Sequence, residues 1–537
     1  MVVVAIAFVA MHFKFIVRKV LVALGYPKFE TVHPALGRYE VGAIRLRLSP
    51  DLPPCQLFYP VEPKGIAKTH TKNAKTTFVP YYRPQSVKGL VKFLHNGDTV
   101  DGLIQMLQDA SHPLSDNYAA DPLPAPAATK NNTNNNKNNN NNNNDKFPLV
   151  LFSHGLGGSM EMYTELCSQL ASLGCVVVAP EHADTSASYS SKVTADGTVE
   201  EIWYKPPLPN SIEPYSRQKM VDYRGPHLED RVDELTALYC AVLTNTVTPT
   251  PLRSNVSASA NANANASGID SEAEAVISLT NQILAAVDPL QLHLVGHSFG
   301  GATQLLAAQR WATERISINR QRHKGTNANS KGSSNGSSSN GTTTTNNNNS
   351  SNRTKTTSDP PIVPLSVTVL DAWNFALSDA ILARGIPSVD NNNNAGNNAG
   401  NNGPPILSIL SEEWALTNPE REQLMVFLRN SRKSCKRIRI DSYYAMHSVH
   451  QSVSDTEAWL PTIASKAFEN RGPLEKRHAT IRAVTSAFAR HSGMVIATPS
   501  SDAGASTGSA AGSVSTGGTL VPFPIESSSS SSSAPMD

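Results

Sequence analysis

The stretch LQLHLVGHSFGGATQ, residues 290–304, decides the reading. LQLHLVG (290–296) is an apolar run of strand length, GHSFGG (296–301) is a sharp turn, and a helical pattern follows from about Ala302 to Trp311. A serine in GxSxG between a strand and a helix sits in a strained conformation. The flanking glycines are required because any side chain there would collide with the neighbouring strand and helix. That context marks Ser298 as a nucleophile; the competing reading is a helix N-cap without chemistry.

Working outward, the same strand–turn–helix order recurs. FPLVLFS (147–153) runs into the Gly-rich turn HGLGG and a helical stretch from Met160 to Leu173, and CVVVAP (175–180) follows at once. PLSVTVL (364–370), PPILSIL (404–410) and KRIRIDS (436–442) are further aliphatic runs. Strands alternating with helices imply a mostly parallel central sheet covered on both faces, the α/β-hydrolase fold class.

A serine hydroxyl is a poor nucleophile unless a base lies within hydrogen-bond reach and an acid fixes that base's tautomer. In α/β hydrolases these partners follow in the order Ser, acid, His. Asp371 stands directly after PLSVTVL, where strand ends converge on a site, and Glu412 and Glu413 follow the next strand; position alone leaves both open. His447 and His450 lie after KRIRIDS and are the candidate bases, whereas His478 and His491 sit in a polar helical stretch and are expected to face solvent. The oxyanion formed on an attacked carbonyl needs donors, typically backbone N–H groups. Phe299, next after the serine, and Leu156 in HGLGG are the candidates, with His154 bracing that loop.

Composition narrows the classes. The 537 residues carry 46 basic and 44 acidic side chains, net +2, with no basic patch, so nucleic-acid binding has no electrostatic support. Cys55, Cys167, Cys175, Cys240 and Cys435 are odd in number, show no CxxC or metal spacing and read as small core hydrophobes, which argues against a disulfide framework and structural zinc; no metal and no cofactor is expected. Residues 124–145, 252–268, 323–358 and 390–403 are Asn-, Ala-, Ser- or Gly-rich inserts that bury too little apolar area to order themselves. The expected organisation is an apolar and basic segment over 1–30, one hydrolase domain over 31–497 interrupted by those inserts, and a disordered tail over 498–537.

Val2–Met11 is too short to span a bilayer and no basic residue precedes it; Lys14, Arg18 and Lys19 follow instead. The segment suits either an anionic membrane surface or an N-terminal core element. Val87, Leu90, Val91 and Leu94 recur at helical spacing, and Leu103, Ile104, Met106 and Leu107 form a second apolar cluster. They read as lipid-facing or as core-facing helices. A cytoplasmic protein with peripheral membrane association is favoured over a secreted or anchored one.

Several ordered motifs together carry a resemblance: GRYEVGAIRL near Gly37, FPLVLFSHGLGG (147–158), APEHADTSAS (179–188), GHSFGGAT (296–303), LDAW (370–373) and SVHQSVSD (448–455). From about Gly37 to Gly493, outside the low-complexity tracts, the chain resembles the platelet-activating factor acetylhydrolases of the plasma and intracellular type II kind. The resemblance implies Ser298 as nucleophile, Asp371 as acid and His450 as base, ahead of Glu412, Glu413 and His447, with Leu156 and Phe299 as oxyanion donors. It also implies calcium-independent hydrolysis of short or oxidised sn-2 acyl chains on phospholipids. A generic carboxylesterase and an inactive, binding hydrolase fold are the alternatives. Two departures from the pattern stand out: His447 replaces the usual glycine before SVHQ, and the 323–358 insert separates Ser298 from Asp371.

Overall fold

Strands that read as unbroken apolar runs are those buried on both faces, and they form the centre of a ten-stranded sheet among the described residues. The computed structural model describes residues 36–61, 83–95, 146–207, 216–252, 266–314, 363–388, 403–455, 474–494 and 519–525. In chain order the strands are β1 (Glu40–Arg47), β2 (Cys55–Val61), β3 (Phe147–Ser153), β4 (Val176–Pro180), the hairpin β5 (Tyr189–Val193) and β6 (Val199–Trp203), β7 (Thr250–Pro251), β8 (Val287–His297), β9 (Ser366–Leu370), β10 (Ile406–Ser411), β11 (Ile440–Ala445) and β12 (Leu520–Pro522). The helices are α1 (Pro84–His95), α2 (Thr164–Ser172), α3 (Arg217–Thr244), α4 (Ala266–Ala285), α5 (Phe299–Glu314), α6 (Asp379–Arg384), α7 (Glu412–Leu416), α8 (Arg421–Ser434) and α9 (Leu474–Ser492).

The sheet order is β12-β11-β10-β9-β8-β3-β4-β2-β1-β7. β11, β10, β9, β8, β3 and β4 run parallel, while β2, β1, β7 and β12 pair antiparallel. This is an α/β-hydrolase fold. Alternation along each strand sorts the core into two layers. Leu149 and Leu151 of β3 join Leu292 and Leu294 of β8 under α3, α4, α5 and α8; Val150 and Phe152 join Val177 and Val295 under α2 and α9. Each fully buried Leu, Val or Phe contributes about 1.5–3 kcal/mol. The chain leaves β3 toward β4 on one side and later returns as β8 on the other. The crevice beyond the ends of β3 and β8 is therefore the switch point where such sheets bind ligands.

Several expectations need correction. His478 and His491 do not face solvent: they are 8% and 7% exposed, with Nδ1 of His478 against Glu165 and Nδ1 of His491 at 2.9 Å from Asp441. Each lies one helical turn from a core residue of α9, Ile481 and Phe488 respectively, so it shares their inward side. The helix expected from Met160 starts at Thr164, because 159–163 is spent in turns that deliver Glu161 and Tyr163 inward. The last parallel strand runs over Ile440–Ala445 rather than 436–442, since Ile438 N–H turns back to the Cys435 carbonyl.

The tail expected to be disordered over 498–537 contains an exception. Leu520–Pro522 adds to the edge of β11, Met446 N–H donates to Thr519 O, and Ile525 is buried. The cause is local: 520–525 is an apolar island, LVPFPI, in a Ser/Gly-rich run. α4 likewise begins at Ala266, inside the stretch read as insert.

The 124–145 and 323–358 inserts, the 1–30 segment and the 103–107 apolar cluster lie outside the described residues. No helix among the described residues is long and apolar enough to cross a membrane. All five cysteines are free; four are buried and Cys240 is half-buried.

Candidate active site

β8 ends at His297 and α5 begins at Phe299, leaving one residue for the reversal. Ser298 takes it in the left-handed region, φ +56°. A Cβ on Gly296 would stand 2.4 Å from Gly300 O, and one on Gly300 would stand 2.1 Å from Ser153 O at the end of β3. Both positions therefore require glycine. Ser298 N–H donates to Leu370 O at 2.8 Å, and Ser298 O accepts from Trp373 N at 2.9 Å, tying the elbow to the end of β9.

Asp371 follows β9 in the same conformation, φ +44°, and is 3% exposed. Its Oδ1 accepts from Ser411 N–H at 2.6 Å, and its Oδ2 lies 3.1 Å from His450 Nδ1. His450 opens a short 3-10 turn beyond β11, and its Nε2 lies 3.0 Å from Ser298 Oγ. An ionised carboxylate only accepts, so Nδ1 carries the hydrogen and Nε2 presents its lone pair to the serine hydroxyl. The imidazole stacks on Trp414 with ring centroids 4.8 Å apart and planes within 9°.

The competing candidates fall elsewhere. Glu413 Oε2 accepts from the backbone N–H of His450 at 3.0 Å, and Glu412 Oε2 accepts from His447 N–H at 2.8 Å. His447 has φ +59°, with its side chain largely exposed and its Nδ1 3.8 Å from Glu412. That left-handed backbone is the physical reason a glycine suits the position.

The HGLGG loop abuts the serine: a Cβ on Gly155 would stand 3.2 Å from Ser298 Cβ. Leu156 N–H has no acceptor among the described residues, and Phe299 opens a helix whose first N–H groups have no intrahelical partner. The loop is held from behind. His154 Nδ1 lies 2.8 Å from Gly155 O, Gly157 N–H donates to Ser186 O at 2.8 Å, and Arg231 donates to His154 O at 2.6 Å. Burial, then the nearby Arg231 charge, pushes the His154 pKa well below the ordinary value, so it braces as a neutral ring.

Behind that loop lies a polar cluster the sequence reading missed. Arg231 donates to Ser186 Oγ at 2.8 Å and meets Asp184 at 3.3 Å, while His182 bridges Ser153 Oγ at 2.8 Å and Glu234 at 2.6 Å. Ser153, His182 and Glu234 repeat the serine–histidine–acid order, but Ser153 and His182 are fully buried behind the loop. Burial, then the Asp184 charge, pushes the Glu234 carboxyl up to about 8. One signal was available: Arg224 and Arg231 share the Leu228–Leu235 side of α3, where charge is out of place unless paired.

His297, Asp371 and His450 are the one group of three side chains among the described residues whose donor atoms, within 4.8 Å of one another, could hold a metal ion. Those atoms are engaged with each other, with Ser411 N–H and with the His450 carbonyl.

The geometry can be compared with known proteins. The family model described as platelet-activating factor acetylhydrolase, isoform II, matches residues 31–320. A platelet-activating factor acetylhydrolase of Gallus gallus is 30% identical over 177 residues, covering 30% of this chain and 34% of that protein. A putative phospholipase A2 of Schizosaccharomyces pombe is 53% identical over 46 residues, covering 9% of this chain and 10% of that protein. A ferulic acid esterase from Streptomyces cinnamoneus superposes with a TM-score of 0.41 at 14% identity, covering 88% of this chain and 97% of that one. The matches to the acetylhydrolases span about a third of those proteins' length.

Proposed function

The chain belongs to the platelet-activating factor acetylhydrolase isoform II family, and on that premise we propose that it is a serine ester hydrolase that removes short or oxidised sn-2 acyl chains from phospholipids without calcium. The observation that carries the proposal is the pair of contacts on His450: 3.0 Å from Nε2 to Ser298 Oγ and 3.1 Å from Nδ1 to Asp371.

The chemistry runs through these side chains. Ser298 Oγ bonds to the sn-2 carbonyl carbon while His450 Nε2 takes the hydroxyl proton, and the carbonyl π pair moves onto oxygen. Asp371 accepts the Nδ1 hydrogen and stabilises the imidazolium. The oxyanion meets the N–H groups of Leu156 and Phe299, each such donor being worth about 3 kcal/mol. Collapse expels the glycerol oxygen, which takes the proton from His450, and an acyl-serine remains. Water then gives a proton to His450 as its oxygen bonds to the acyl carbon; collapse of that intermediate expels Ser298 Oγ, which takes the proton back from His450, and the carboxylic acid is released. Substrate resides in lipid surfaces, so peripheral contact with such a surface belongs to the same proposal.

The test is hydrolysis, in chelator, of phosphatidylcholines with sn-2 acetyl or sn-2 palmitoyl chains beside p-nitrophenyl butyrate. Strong preference for the acetyl lipid is expected. Turnover of the simple ester alone would replace this reading with a generic carboxylesterase, and turnover of none with a binding protein.

A further inference from the structure

We propose that Tyr163 and His297 are positioning residues that couple the oxyanion loop to the catalytic base through an unbroken, one-directional hydrogen-bond relay. The proposal rests on the reading of Ser298 and His450 given above. Gly155 N–H donates to the Tyr163 hydroxyl at 3.2 Å, that hydroxyl lies 2.8 Å from His297 Nδ1, and His297 Nε2 lies 2.9 Å from the His450 carbonyl oxygen.

The direction of every bond follows from its ends. A carbonyl oxygen only accepts, so His297 Nε2 carries the hydrogen. In a neutral imidazole Nδ1 is then the acceptor, and the Tyr163 O–H must donate to it, leaving its own lone pair for Gly155 N–H. Tyr163 and His297 are 3% and 1% exposed, so no water substitutes for a missing partner without opening the core.

Neutrality of His297 is secured by its surroundings. Burial, and secondarily the neighbouring His450, lowers its pKa well below the ordinary value. A proton on Nδ1 would turn two donors toward each other. It would also place a cation against the ring that must itself become cationic during reaction, since the His297 and His450 centroids are 4.5 Å apart.

The relay therefore completes the hold on the His450 peptide. Glu413 takes its N–H at 3.0 Å and His297 takes its C=O at 2.9 Å. The other end holds the N–H of the His154–Gly155 peptide, one peptide before the one that carries the Leu156 N–H. Donor and base are set relative to each other through the residue that precedes the nucleophile.

The experiment measures kcat and KM per active site titrated with a fluorophosphonate, together with the thermal midpoint, for Tyr163→Phe, His297→Leu, His297→Gln and Tyr163→Phe/His297→Leu. Tyr163→Phe should lower kcat about tenfold with KM within about twofold and only a modest fall in the midpoint, the effect expected from one lost hydrogen bond. His297→Leu should cost more, and the double variant should be no worse than it, because residues in one network do not act additively. His297→Gln, whose amide can still donate to the His450 carbonyl, should recover part of the loss.

Wild-type kcat in Tyr163→Phe, multiplying losses in the double variant, or losses that vanish per titrated site would overturn the relay. If His297→Leu does not fold, Tyr163→Phe and His297→Gln carry the test. Ser298→Ala is run alongside: a rate that survives in it removes the reading of the site itself, whatever the relay does.

Discussion

Ser298 and Asp371 leave neighbouring parallel strands in the same left-handed conformation, φ +56° and +44°, and Ser298 N–H donates at 2.8 Å to Leu370, the residue before Asp371. A non-glycine residue in that region persists only when its surroundings over-determine it, at a cost of about 1–3 kcal/mol. Two such residues on adjacent strand ends, with Ser298 bonded to the backbone of Leu370 and Trp373 on either side of Asp371, fix the separation that the His450 ring spans.

Asp371 and Glu412 give the sharpest contrast. Asp371→Ala should lower kcat about 1,000- to 10,000-fold, since the imidazole loses the partner that fixes its tautomer. Glu412→Ala, which removes an acceptor for the His447 backbone, should change kcat by no more than about threefold. Steady-state rates with a short-chain ester decide it; the reverse order would make Glu412 the acid.

His447→Gly should retain activity within about twofold and be neutral to stabilising by up to about 1 kcal/mol, because glycine carries no penalty at φ +59°. Thermal melts and kcat/KM check this. A loss of activity beyond tenfold would show that the exposed ring has a task in catalysis.

Gly300→Ala should destabilise by more than about 3 kcal/mol or abolish soluble protein, since its methyl would stand 2.1 Å from Ser153 O and both atoms belong to backbone. Denaturant unfolding measures the loss. A stable, active variant would mean that the elbow yields more than the packing of β3 against α5 allows.

His293 makes stability fall with acid. Burial, then the nearby His491, lowers its pKa from 6.5 to about 4, and Nδ1 is 2.8 Å from Ser366 Oγ. Between those values the unfolded chain binds the extra proton, so stability declines as pH drops from 6.5 to about 4, by at most about 3 kcal/mol. His293→Gln should flatten that limb of a stability–pH curve. Glu165, drawn down to about 2 against burial by Arg477 and His478, acts in a lower window, losing its contribution as pH falls below 4.5.

The parallel strands from β3 to β10 were legible because burial on both faces leaves an apolar run in each, whereas half-buried β11, IDSYYA, was displaced by four residues; the elbow was legible because three glycines in six residues have few other uses. Asp371 and Glu412 could not be separated by position, since both follow a strand at the same end of the sheet; the family resemblance favoured Asp371. Spatial partners far apart in the chain were invisible: Arg231 reaches back 77 residues to His154, and Tyr163 meets His297 across 134. α3 was hidden by Gly225 and Pro226 and by arginines on its inner side. β12 was hidden because a short apolar island carries little weight inside a tract that cannot fold alone.

The most direct measurement is site-resolved labelling by a fluorophosphonate, read by peptide mass spectrometry on the folded protein. The prediction is one adduct on Ser298, formed rapidly in wild type, slowed by several orders of magnitude in His450→Ala, and absent in Ser298→Ala. No adduct on the folded wild type, or an adduct on another serine that persists in Ser298→Ala, would contradict the assignment of the nucleophile on which the rest depends.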